Sequence, residues 1–120
     1  MPITLELLEA DHALLLTFHD PWTLIELNEQ YKQMDIIFHK ASQKLDTIVD
    51  MSDVHKFPSS ILSARLRSPV VNHPNSGNLL MVSTHSMTKS LVNVASRLAR
   101  FNRVYFFDTR ELALIHLRKK

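Results

Sequence analysis

The chain has no cysteine and one glycine, Gly77, among its 120 residues. The first absence removes disulfides, thiolate zinc sites, iron–sulfur clusters and thiol nucleophiles together. The second removes Walker loops, G-x-G-x-x-G dinucleotide turns and G-x-S-x-G nucleophile elbows, each of which needs glycine where backbone bends sharply or approaches a ligand. A run of about 18 apolar residues is also lacking, so no membrane span is expected. Residues 68–88 are uncharged, but Asn72, His73, Pro74, Asn75, Ser76 and Gly77 break that stretch with turn chemistry. The opening residues Met1 to Glu6 carry neither a basic head nor a small-residue cleavage site, and a cytoplasmic location is expected.

What is present is an ordinary globular composition. Hydrophobic residues make up 45% and charged residues 22%, enough for one domain over 1–120 with a conventional buried core. The formal net charge of +2 hides an asymmetry: residues 1–60 carry four Lys/Arg against ten Asp/Glu, a balance of −6, and residues 61–120 carry ten against two, +8. Such halves attract one another within one fold. A nucleic-acid surface is not expected, because Arg65, Arg67, Lys89, Arg97, Arg100 and Arg103 are spread along the chain without interleaved aromatic residues.

Periodicity supplies the elements. Residues 5–8 and 13–18 read as an opening hairpin around the polar turn Glu9-Ala10-Asp11-His12. Asp20-Pro21 then offers an N-cap and a first-turn proline for a helix over 21–41, with Leu24, Leu27, Tyr31, Met34, Phe38 and Ala41 on one face. Residues 47–51 are a β-branched run of the kind buried on both faces, a central strand. A short helix is predicted over 59–67, a strand over 79–82, and a third helix capped by Thr84 or Ser86 with Met87, Leu91, Val94, Ala95 and Leu98 inward. Residues 104–107 form the last strand, and Asp108 to Glu111 has the spacing of a capping box for a C-terminal helix. The order β-β-α-β-α-β-α-β-α is α/β and calls for a mostly parallel mixed sheet covered by helices.

The stretch Ile48-Val49-Asp50-Met51-Ser52-Asp53-Val54-His55-Lys56-Phe57-Pro58-Ser59-Ser60-Ile61-Leu62 resembles the STAS superfamily of anti-sigma-factor antagonists, more closely its SpoIIAA-like branch. A hydrophobic strand ends there in a Ser-containing turn, and paired serines open a helix. The end of the chain, a strand, Asp-Thr and a Glu-containing apolar helix over 104–117, is similar too. The resemblance implies a STAS-like fold, a signalling role and a protein partner, with phosphorylation of the first serine of the pair as the switch. That position is Ser59, with Ser60 beside it. Pro58 and Ile61 stand where signalling members carry Asp and Gly.

The residues themselves lead to a similar place. Asp50 near the end of the central strand and Ser52, Asp53, His55 and Pro58 after it, at the strand ends where open α/β sheets place their ligands, form the expected partner-binding loop. Ser59 and Ser60, near a helix N-terminus, would tolerate a phosphate; a plain N-cap is the simpler use of either. Phe18, Trp22, Tyr31 and Phe57 can line an apolar pocket, or simply fill core. The pair Asp53 and His55 has acid–base chemistry, but nothing supplies a nucleophile with an orienting third group, so no enzyme is expected. No two of the seven histidines stand three or four residues apart, so neither metal nor cofactor is expected. The expectation is therefore a non-catalytic interaction domain with a protein partner, self-association being open, and a binding module for a small hydrophobic or anionic ligand as the alternative.

Overall fold

Leucine-rich alternation at the start of the chain produces a hairpin. In a computed structural model, which describes residues 2–55, 73–98 and 103–119, strands β1 (Ile3–Leu8) and β2 (Ala13–His19) pair antiparallel, with Ile3 opposite Phe18 and Leu8 opposite Ala13. One 3-10 turn, Glu9–Asp11, joins them, and His12 closes it in the left-handed conformation, its N–H donating to the Glu9 carbonyl.

Helix α1 (Leu24–Lys40) follows, then β3 (Leu45–Asp53), β4 (Ser76–Val82), α2 (Ser86–Leu98), β5 (Val104–Phe107) and α3 (Arg110–Arg118). The five strands form one mixed sheet in the order β1-β2-β3-β4-β5, parallel at every pairing after the first. The α/β class and the central place of the 47–51 run are as expected. The helix predicted over 59–67 lies outside the described residues, so the structure describes three helices.

Because spatial order follows chain order, the crossovers from β2 to β3 and from β4 to β5 step the same way, and right-handed connection puts their helices on one face. There Leu27, Met34 and Phe38 of α1 and, less deeply, Val92 of α2 pack against Leu14, Leu16, Phe18, Val49, Met51 and Met81. The opposite face carries Ala13, Leu15, Ile48, Leu80 and Val82, and α3 covers it with Ala113 and Leu117. Residue Ile48 is wholly buried on the α3 face while Val49 is buried under α1, which is why adjacent positions of β3 are both apolar. Among the described residues, no helix is long and apolar enough to cross a membrane.

Three local expectations need correction. The N-cap of α1 is Thr23, not Asp20: Thr23 accepts from the Glu26 N–H, and the Glu26 carboxylate accepts from the Thr23 N–H, a complete capping box that starts the helix at Leu24. In α2, Met87 is 63% exposed, while Thr88 is buried and Val92 packs on the core; the side chains of Val94, Ala95 and Leu98 lie outside the described residues. In α3 the cap is Thr109, accepting from the Leu112 N–H, so Asp108 and Glu111 form no box.

The lone glycine sits where backbone and carboxylate leave no room. A Cβ on Gly77 would overlap Asp46 Oδ1 and lie 3.1 Å from the Leu45 carbonyl oxygen, and that Oδ1 accepts the Asn78 N–H at 2.7 Å. Gly77→Ala must therefore displace the Asp46 side chain from its bond. A loss of about 1–3 kcal/mol is expected in urea unfolding; an unchanged midpoint would show that the strand end yields freely.

Candidate functional site

The C-terminal ends of the parallel strands, together with the first turns of α2 and α3, make one rim. Strand β3 arrives at its middle. Backbone N–H of Val54 donates to the Met51 carbonyl at 3.0 Å, and the Val54 side chain, 1% exposed, plugs into the core beneath. This single apolar anchor turns the chain so that Ser52, Asp53 and His55 on either side of it are exposed.

Neighbouring strand ends hold the turn in place. Asp20, just after β2, accepts the His55 N–H at Oδ2 over 2.7 Å. His19 Nδ1 lies 3.3 Å from Asp53 Oδ2, both side chains being half-exposed or more. The His55 ring meets the His85 ring edge to face, centroids 4.7 Å apart, and the loop after β4 is braced by the His85 N–H donating to Ser83 Oγ. Three histidines, His19, His55 and His85, and two carboxylates, Asp20 and Asp53, thus build an accessible turn.

Asp50 behaves differently from the loop residue it was expected to be. All three acidic or hydroxyl residues Asp50, Ser52 and Asp53 lie within β3, the last two at its exposed end, but Asp50 is 6% exposed and points to the α3 face. Its Oδ1 accepts from the N–H and hydroxyl of Ser52, and its Oδ2 accepts a fork from Arg110, Nε at 2.9 Å and Nη2 at 2.8 Å. Arg110 Nη2 also donates to Thr17 Oγ1 at 3.3 Å. Burial acts to raise the Asp50 pKa, but the Ser52 bonds and the Arg110 guanidinium outweigh it and hold the carboxyl below its ordinary value. An acid so stabilised is a weak base, so the Ser52 hydroxyl, directed at it, is a clasp for the turn and is not activated for attack.

The other site residues separate into groups. Phe18 and Trp22, 2% and 5% exposed, pack edge to face at 5.0 Å inside the core, and Tyr31 packs on the same cluster. Burial drives the Tyr31 phenol up to about 12. Phe57, Pro58, Ser59 and Ser60 lie outside the described residues. Arg110 was missed as a functional residue. Its sequence context, one position after Thr109 at a helix start, carries no sign of a partner sixty residues away.

At the far end of the sheet runs an open groove of about 720 Å³, with His12, Lys44, Arg103 and Arg118 around Asp46. Comparison of the chain with protein-family models, with curated proteins and with solved structures gave no match.

Proposed function

We propose that the chain is a non-catalytic, STAS-like interaction domain that engages a protein partner through the turn 52–55 and the segment that follows it. The observation that supports this most is the Val54 anchor: a buried valine fixes the turn while Ser52, Asp53 and His55 stay exposed at the end of the central strand. A fixed, polar, solvent-facing turn lowers the ordering cost of association. The resemblance of 48–62 to the anti-sigma-factor antagonists adds a switch: phosphorylation at Ser59 or Ser60 would bring a charge of about −1.5 to −2 and alter the partner's affinity.

A small-anion module is the second reading, favoured by the basic residues of the far groove. One experiment separates the two. Tag-free chain is crosslinked in lysate of its native host, as wild type, as the pair Asp53→Arg with His55→Glu, and as Lys44→Glu. Capture of a defined protein that fails for the rim pair and persists for Lys44→Glu is the expected result. Capture unaffected by the rim pair overturns the proposal. Stabilisation of the wild type by inorganic polyphosphate, lost in Lys44→Glu, supports the groove instead.

A further inference from the structure

We propose that Asp35, His39 and His73 form a binding site for one divalent transition-metal ion of the zinc type, clamping the C-terminal end of α1 to the turn that leads into β4. One ligand atom from each of the three lies within 4.8 Å of the others. His73 Nε2 is 2.9 Å from His39 Nδ1, and Asp35 Oδ1 is 3.9 Å from the same nitrogen. Donors bound to one zinc ion at roughly 2.0–2.2 Å in a tetrahedron stand roughly 3.2–3.6 Å apart, so small side-chain rotations bring all three onto a common ion.

The three ligands come from a scaffold that is already ordered. Asp35 and His39 are one helical turn apart on α1, which puts them on one face. His73 is thirty-four residues further on, yet its position is fixed. Its ring stacks on Phe38, centroids 5.5 Å apart at 27°. Asn75 ties the turn to the helix end by donating from Nδ2 to the carbonyls of Phe38 and Ala41. The Ser76 N–H closes the turn on the His73 carbonyl. The site also lies at the negative pole of α1, whose last carbonyls favour a cation. Two imidazoles and a carboxylate suit zinc, nickel, copper or iron, and solvent exposure of His39 leaves room for water to complete the coordination.

The hydrogen bonds define what the ion must replace. Asn75 donates its N–H to His73 Nδ1 at 3.0 Å, so a neutral His73 ring carries its proton on Nε2 and gives it to His39 Nδ1. His39 Nδ1 is therefore already a lone-pair donor. His73 becomes a ligand by moving its proton to Nδ1, which releases both the Asn75 amide and the bond to His39, two neutral hydrogen bonds exchanged for three ligand bonds to the ion.

That exchange provides a readout which general metal adhesion does not move. Tag-free chain is titrated with zinc chloride by calorimetry, with cobalt(II) absorption as a second probe, and amide exchange is followed by NMR. The expected result is equimolar binding at micromolar concentrations, a raised melting temperature, and faster solvent exchange at the Asn75 amide. His39→Ala and Asp35→Asn, both at exposed or half-exposed positions that leave the core intact, should each weaken binding about tenfold or more. His85→Ala, in the rim, should bind as wild type. Absence of equimolar binding, binding that His39→Ala and Asp35→Asn leave unchanged, or binding lost in His85→Ala would each overturn the assignment.

Discussion

Arg110→Ala is expected to lower stability by about 2–3 kcal/mol at neutral pH. Removing one partner from a buried ion pair leaves an uncompensated charge and costs roughly 3–5 kcal/mol when both groups are buried. Here the Asp50 side chain is 8% exposed but that of Arg110 is 40% exposed, so water screens part of the pair and the figure falls below that range. The pH dependence has a definite sign. A carboxyl held below its unfolded pKa stabilises the fold fully above that value, near 3.9 for Asp, and the contribution fades as pH falls through the lower folded value. Wild-type stability should therefore drop in strongly acidic solution, and Arg110→Ala should flatten that drop. The pair Asp50→Asn with Arg110→Met, which removes both charges, should recover most of the loss at neutral pH. Urea titrations in which the double variant is no better than Arg110→Ala would refute the account.

Phe38→Ala is expected to cost more, about 3–5 kcal/mol. The side chain is fully buried in one cluster with Met34 and the β2–β3 core residues, and truncation opens a cavity beneath α1. Its ring also supports His73, so the turn before β4 loses its backing as well. Ile36→Ala, two residues away and 48% exposed, should change stability by no more than about 0.5 kcal/mol. Equal melting temperatures for the two variants would show that α1 is not docked by the stripe assigned to it.

That stripe shows how far sequence reasoning reaches. Leu27, Met34 and Phe38 recur at helical spacing and are the buried face of α1, because a long amphipathic element has one way to bury its apolar stripe. The central strand was equally legible, since 47–51 has no polar alternation to permit a solvent face. Boundaries were less so. Asp20 and Thr23 are both good caps, and the choice fell to Thr23 because Glu26 stands three residues beyond it, while Asp20 went to the His55 amide across the sheet. The rim turn was foreseen from the end of β3, but Asp50 was placed in it because sequence cannot say that an Arg sixty residues downstream will neutralise an acid inside a strand. His39 and His73 were set aside on spacing alone. Only the fold brings a helix end and a strand start to the same corner, and the one local sign was Asp35 standing four residues before His39.

Neighbours in the sheet are also neighbours in the chain, and this bears on how the molecule is assembled. The hairpin needs only a four-residue closure, and every later strand is added to an edge already in place, with no strand inserted between two others. Each parallel pairing must still close a crossover of more than twenty residues before its contacts form, which makes this sheet slower to assemble than local helical contacts. Helix α3 emerges in synthesis after all five strands, and its Arg110 reaches back to Thr17 over ninety-three positions. Until that helix arrives, the sheet face of Ala13, Leu15, Ile48, Leu80 and Val82 lacks the cover of Ala113 and Leu117, and a nascent chain stalled before residue 110 would hold an apolar surface open to other molecules.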